Sequence, residues 1–183
     1  MKIAAAIALL VALGAAGVLA FIYSGVYDIA ATTPHFAVTH RVLRTVMEQS
    51  VKRQARKVTV PELDDPEKVH AGFKSFHAMC VNCHGAPGLA ASDISKGLYP
   101  EAPNLAQAAK DWTPAELYVI VKGGIKMSGM PAWEPTHSGE EIWELVAFLK
   151  LLPTMPEAEY QEAVEYYTND ARNKVKEMHH HGH

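Results

Sequence analysis

The chain has 183 residues, of which 49% are hydrophobic and 20% are charged, a composition typical of one small globular domain with additions at its ends. Seventeen Lys and Arg residues against twenty Asp and Glu residues give a net charge of −3, so the composition argues against a basic nucleic-acid-binding surface. The two cysteines are too few for a disulfide-stapled secreted fold, and the length argues against a two-domain enzyme.

An uncharged apolar segment of twenty-one residues runs from Ile3 to Tyr23. At about 1.5 Å per helical residue, a helix of this length reaches across a hydrocarbon core of roughly 30 Å. The alternative is a cleaved signal peptide, for which residues 16–20 offer a weak small-x-small site. Because the apolar stretch continues past that site through Phe21, we predict a retained transmembrane anchor over residues 1–27.

Residues 28–65 combine a basic amphipathic helix with a short linker. Valines recur at roughly helical spacing between Phe36 and Val58, in a stretch that also carries six basic residues: Arg41, Arg44, Lys52, Arg53, Arg56 and Lys57. A juxtamembrane helix on the membrane surface and a solvated linker helix both fit this pattern. The acidic, Pro-rich stretch from Val60 to Pro66 predicts a domain boundary.

Three helices are predicted within residues 66–153, and capping residues mark where each of them begins. The N-caps are Asp65, Thr113 and Ser138. The first helix is about fourteen residues long and ends at the cysteine motif, the second ends at Gly123, and the third ends before Pro153. The intervening span 85–110 is too long for an unsupported loop in a compact domain, so we expect a bound group to organise it.

Both cysteines lie in the motif Cys80-Val81-Asn82-Cys83-His84, the C-x-x-C-H pattern of covalent c-type haem attachment. Two thiols add to the two haem vinyl groups, and the adjacent histidine brings an imidazole nitrogen to the iron. A thioredoxin-like redox pair would open a helix after a strand, and a zinc site needs four ligands. We therefore predict one covalent haem c on Cys80 and Cys83, with His84 as an axial ligand.

A second axial ligand is expected well downstream, and Met130 between Gly129 and Pro131 supplies it. Its thioether sulfur is a soft, neutral ligand that favours ferrous iron, and the flanking Gly and Pro restrict the loop. Met127 and His137 are the two alternative ligands on this side.

These segments resemble the class I c-type cytochromes. The resemblance covers Pro66 to Pro153 and rests on the C-x-x-C-H helix, the loop 124–133 that contains Met130, and the helix 141–149. It implies an all-α cytochrome c fold, here with an N-terminal transmembrane helix. It also implies Cys80, Cys83, His84 and Met130 in the haem-binding roles given above.

The same family crosses its first and last helices close to the haem, with a glycine of one packed on an aromatic ring of the other. Gly72 and Phe148 fit these two positions. The family also uses a loop proline carbonyl to orient the proximal histidine, and three prolines qualify: Pro87, Pro100 and Pro103.

The predicted function is that of a membrane-anchored one-electron carrier, without enzyme activity of its own. It would pass electrons between respiratory or other membrane redox complexes or soluble redox proteins, which the sequence does not identify. The predicted location is a bacterial inner membrane, crossed once, with the haem domain on the periplasmic side. The alternatives are a haem c subunit of a larger oxidoreductase or oxidase complex and, with less support, a haem-based gas sensor.

Residues 154–183 form a predicted helical extension with a His-rich tail. Apolar positions at Tyr160, Ala163, Val164 and Tyr167 lie on one side of this helix, which fits core packing and partner docking equally. The histidines of residues 179–183 could bind copper or zinc, or belong to a solvated tail.

Overall fold

In the computed structural model, residues 2–180 are described, with side chains described through residue 169. The longer helices are α1 (Lys2–Tyr23), α2 (Ala37–Ala55), α3 (Pro66–Ser75), α7 (Pro114–Gly123), α8 (Gly139–Leu151) and α9 (Glu157–His180). The short ones are α4 (Val81–His84), α5 (Asp93–Lys96) and α6 (Leu105–Ala108), with 3₁₀ turns at Ala109–Asp111 and Leu152–Thr154. The described residues form no β-strand, which confirms the all-α prediction.

The first of two compact units is Met1–Pro34. Its helix α1 is exposed along its whole described length and is long and apolar enough to cross a membrane, a property that a signal sequence shares. After the helix, the Asp28 carboxylate accepts hydrogen bonds from the backbone N–H of Ala30 and the hydroxyl of Thr33, at 2.8 and 2.6 Å. These bonds lower the pKa of Asp28.

The core of the second unit, His35–His183, is the crossing of α3 and α8. The predicted contact between Gly72 and Phe148 is confirmed, because a Cβ on Gly72 would lie 2.9 Å from the Phe148 Cβ and would overlap the backbone of Glu144. Phe148 is fully buried and its ring centroid lies 5.5 Å from that of Phe73. Because Gly72 has no side chain, the backbones of α3 and α8 can approach each other closely.

The sequence predicted that the helix beginning at Pro66 is about fourteen residues long and ends at the cysteine motif, but α3 itself ends at Ser75. After α3 the chain makes a π-type turn over Phe76–Cys80, where the N–H of Val81 bonds to the carbonyl of Phe76, and α4 then carries the motif itself. Helical hydrogen bonding therefore continues until Gly85, whose positive φ of 65° ends it. The extra residue in the π turn shifts the cysteines relative to the side of α3 that packs on α8.

The C-terminal part of α2 packs against α7. Val51 and Ala55 are buried, while valines in the N-terminal half of the helix are exposed. This arrangement differs from a fully solvated linker helix, because one side of α2 is part of the domain.

The span 85–110 is organised by local hydrogen bonds and short helices. Ala86 and Leu89 exchange two backbone hydrogen bonds of 2.9 Å, and the buried Ser95 hydroxyl donates to the carbonyl of Cys83 at 2.6 Å. Asn104 caps α6 by accepting a hydrogen bond from the N–H of Ala106. Part of this span is therefore organised by its own short turns and helices, and the expected role of a bound group in organising it stays a prediction.

The extension helix α9 packs on the core. Tyr160 is fully buried, and its hydroxyl lies 2.9 Å from Nδ1 of His77. Ala163, Val164 and Tyr167 are partly buried against the same apolar cluster. Of the two interpretations of this amphipathic pattern, core packing is the one that the structure supports. The side chains of the His-rich tail lie outside the described residues.

Candidate haem site

Cys80 ends the π turn, and Cys83 lies one helical turn later in α4. Both are half-buried free thiols. Burial, with a smaller contribution from Cys83, raises the pKa of the Cys80 thiol to about 12. Burial therefore disfavours the thiolate form of Cys80.

The imidazole of His84 is oriented by a carbonyl from a distant part of the chain. Its Nδ1–H donates a 2.7 Å hydrogen bond to the carbonyl oxygen of Pro103, nineteen residues away. This bond fixes the tautomer and leaves Nε2 with the lone pair that a metal needs. Burial lowers the pKa of His84 more than the hydrogen bond raises it, so the ring is in the neutral, ligating form at neutral pH. Among the three candidate prolines, Pro103 is the one that contacts His84.

The two methionines of the distal loop are placed very differently. Met127 is 86% exposed and adopts a positive φ of 60°, which belongs to a turn. Met130 is partly buried against the core cluster. Its N–H donates to the Ser128 hydroxyl at 3.2 Å, and its carbonyl accepts from the N–H of Ile125 at 3.1 Å. The loop thus turns one thioether towards solvent and the other towards the apolar interior.

The third distal candidate, His137, contacts two nearby side chains. Its ring packs edge-on against Trp133 with centroids 5.0 Å apart, and its Nδ1 lies 2.9 Å from the hydroxyl of Thr136. Thr136 and His137 directly precede Ser138, the N-cap of α8, so this contact lies at the start of that helix. The Nδ1 contact leaves Nε2 of His137 for a metal, as in His84, so Met130 is favoured because it packs against the same apolar cluster as Cys80.

The residues around the motif fit a haem c. Cys80 and Met130 border the same buried apolar cluster, which is the environment a porphyrin requires. Within the described part of the chain, the buried Trp133 Nε1 and Ser92 Oγ have no hydrogen-bond partner. Buried polar groups normally have partners, so these atoms are suited to the polar edge of a bound group.

Sequence reasoning did not identify Trp133 or Ser92 as candidate site residues, and it could not choose Pro103. One local feature could have singled out Pro103. The next residue, Asn104, is a strong helix N-cap, so the carbonyl of Pro103 lies just before the helix and takes no part in its hydrogen bonds. Trp133 gave no comparable signal, because an indole is equally common in a core.

Comparison with known proteins supports the same assignment. Residues 67–149 match the family described as cytochrome c oxidase, cbb3-type, subunit III. The chain is 33% identical over 86 residues to a quinohemoprotein alcohol dehydrogenase of Comamonas testosteroni, a match that covers 47% of this chain and 11% of that protein. It is 25% identical over 96 residues to the quinohemoprotein alcohol dehydrogenase ADH IIB of Pseudomonas putida, covering 52% of this chain and 13% of that protein.

Together with the helical fold, the family match identifies residues 67–149 as a class I c-type cytochrome domain. Such a domain binds haem and transfers electrons. The chain spans only about a tenth of the length of the two dehydrogenases, so the similarity concerns this domain and not their full chains.

Proposed function

We propose that this protein is a membrane-anchored one-electron carrier with a single covalent haem c. Cys80 and Cys83 form the two thioether bonds, and His84 and Met130 are the axial ligands. When bound, the haem supplies a reversible ferric/ferrous couple. The observation that carries the proposal is the Nδ1–H bond from His84 to Pro103, because it presents the other ring nitrogen as a ligand.

The residues of this chain have three tasks in such a carrier. His84, held by Pro103, keeps one ring orientation in both oxidation states, which limits reorganisation. The partly buried Met130 would be the second ligand of the iron and would leave no open site for substrate or oxygen. The buried cluster around Phe76 and Phe148 excludes water, which raises the energetic cost of the extra charge on ferric iron.

The proposed organisation follows from these roles. Residues 1–27 are the anchor, residues 28–65 the juxtamembrane helix and linker, residues 66–153 the cytochrome domain, and residues 154–183 the extension. Within the described residues, one helix is long and apolar enough to cross a membrane, which supports an anchor. The membrane would be a bacterial inner membrane with the haem domain on the periplasmic side, where class I c-type cytochromes acquire their haem. Its partners would be redox proteins in or near that membrane.

A second candidate is a haem-carrying subunit of a larger oxidoreductase. The similarity to a short segment of two quinohemoprotein dehydrogenases favours it, since in those chains a related segment belongs to a much longer protein. In this case the cytochrome domain would receive electrons from a dehydrogenase partner within one stable complex.

Two measurements on the full chain test these proposals. The reduced protein should not bind CO, because Met130 occupies the sixth position; immediate CO binding would instead indicate the gas sensor. Purification from membranes in mild detergent, followed by mass measurement, separates the carrier from the subunit. A free carrier elutes alone, whereas a subunit elutes with the same proteins in fixed ratio.

A further inference from the structure

Helix α2 carries an exposed row of three valines in its N-terminal half. Val38, Val42 and Val46 follow each other at intervals of four residues, which places them on one side of a helix. Their exposed fractions are 69%, 55% and 62%, although valine is ordinarily a core residue. We refer to these three residues as the valine row.

The valine row lies opposite the side of α2 that the domain buries. Val51 comes nine residues after Val42, and Ala55 comes nine residues after Val46. Because a helix has about 3.6 residues per turn, nine residues correspond to about two and a half turns and reverse the direction of the side chain. Val51 and Ala55 are 6% and 9% exposed, and this part of α2 packs against α7. The helix therefore has two apolar sides, and within the described residues only one is covered.

The charge around the valine row is positive. Arg53 follows Val46 by seven residues and so continues the row, while Arg41, Lys52 and Arg56 lie along one edge of it, and all four are exposed. The helix contains one acidic residue, Glu48, whose carboxylate is paired with Arg44 at 2.8 Å. Within the described residues these four cations form no ion pair, and an apolar row edged by cations is complementary to a surface with anionic groups above an apolar layer.

We propose that this side of α2 lies on an anionic lipid bilayer, with the valine row among the acyl chains and Arg53 and Arg56 at the headgroups. Only thirteen residues separate α2 from α1, the helix long enough to span a membrane, so lipid is the surface continuous with this part of the chain. Three side chains are also a small area compared with the roughly 800 Å² per partner of a stable protein interface.

The consequence is an oriented haem domain. Since the opposite side of α2 packs on α7, lipid contact would fix the tilt of the whole second unit relative to the bilayer, instead of leaving it on a free tether. The proposal rests on the proposed membrane anchor, but it is independent of the redox role, because it concerns only α2 and lipid.

Photo-crosslinking of the full chain tests the proposal. A benzoylphenylalanine is placed at position 42, or at the exposed position 107 as control, and the protein is reconstituted in phosphatidylcholine vesicles with or without phosphatidylglycerol. We expect lipid adducts at position 42 and none at position 107, with a higher yield when phosphatidylglycerol is present. Equal adduct yields at positions 42 and 107 would overturn the proposal. A crosslinked dimer would do the same, as would a crosslink to another protein when the experiment is repeated in native membranes.

Two sets of substitutions sharpen the result. Val38→Glu with Val46→Glu should abolish the lipid adduct at position 42, whereas the matched pair Gln107→Glu with Ala158→Glu, at exposed positions outside α2, should leave it unchanged. Arg53→Gln with Arg56→Gln keeps the valine row and should remove the preference for phosphatidylglycerol. An adduct that survives the Val38 and Val46 substitutions would contradict the proposal. The haem absorbance, which monitors the cytochrome domain, should be unchanged in every variant.

Discussion

The two proposed axial ligands are held by different kinds of structure. His84 follows a helix that is locked against α8 at Gly72, and its ring is oriented by a carbonyl nineteen residues away. Met130 is held by hydrogen bonds to Ser128 and Ile125, within six residues of loop. The position of His84 therefore depends on tertiary packing, and the position of Met130 depends on a short turn. We call these the His84 side and the Met130 side of the site. Changes on the His84 side should affect folding, and changes on the Met130 side should affect ligation in a folded protein.

The largest expected effect on the His84 side is the loss of the covalent attachment. Cys80→Ala combined with Cys83→Ala should abolish covalent haem, because no thiol remains to form a thioether bond. Haem staining after denaturing electrophoresis measures this directly. Asn82→Ala, an exposed position inside the same motif, should retain full staining. Covalent haem in the double variant would contradict the assigned attachment.

Gly72→Ala tests whether tertiary packing supports this side of the site. The new methyl group would overlap the Glu144 backbone and forces α3 and α8 apart, so we expect a loss of about 1–3 kcal/mol in the free energy of unfolding. Because the overlap is with backbone atoms, we expect the upper part of this range, which exceeds the roughly 1 kcal/mol that Ala gains in helix propensity. Gly123→Ala is the matched control, since nothing lies within 4 Å of its Cβ position. Urea unfolding followed by haem absorbance measures both variants; equal stability would disprove the role of the crossing.

Met130→Ala tests the Met130 side of the site. The folded protein should keep its covalent haem but bind CO when reduced, because the sixth position is open. Met130→His should keep low-spin iron at a lower reduction potential, since imidazole stabilises ferric iron more than a thioether does. Met127→Ala should leave the spectrum and the potential nearly unchanged, as expected of a side chain that is 86% exposed. If Met127→Ala instead abolishes the methionine-ligation band, the ligand is misassigned.

A smaller, pH-dependent effect is expected at His77, which links the His84 side to α9. Burial lowers the pKa of His77 below its ordinary value of 6.5, so the unfolded state binds the proton more readily than the folded state. Stability should therefore fall as the pH drops below about 6.5, towards the folded pKa, and should be independent of this group above it. His77→Gln, which can still bond to Tyr160, should reduce that slope in urea unfolding at pH 5.5–7.5. An unchanged slope would exclude His77 as its source.

The smallest effect is expected for Ser128→Ala in the distal loop. The substitution removes the acceptor of the Met130 N–H and the donor to the Ile125 carbonyl, for a cost of about 0.5–1.5 kcal/mol. If the loop alone holds Met130, then on heating the absorption band that reports methionine ligation should weaken at a lower temperature than in the parent protein. The midpoint of global unfolding should change little. A drop in global stability as large as that of Gly72→Ala would remove the distinction between the two sides.

The sequence predicted those features of the fold that depend on neighbouring residues. The N-caps Asp65, Thr113 and Ser138 begin the helices where they were expected, because each side-chain oxygen meets a backbone N–H two or three residues away. The contact of Gly72 with Phe148 was also predicted, through the resemblance to a known family. The haem-binding roles of the C-x-x-C-H motif and Met130 remain predictions, to which the structure adds favourable geometry.

The tertiary structure alone decided the features that join distant residues or select one side of a helix. Spacing could not show that Pro103, and not Pro87 or Pro100, meets His84, because that choice depends on how the span 85–110 folds. The π turn over Phe76–Cys80 was also not predicted, because no simple sequence pattern marks it. Likewise, the valines of α2 look alike in sequence, and only the position of α7 determines that Val51 is buried while Val42 is exposed. Local hydrogen bonds are encoded by adjacent residues, whereas burial is a property of the assembled fold.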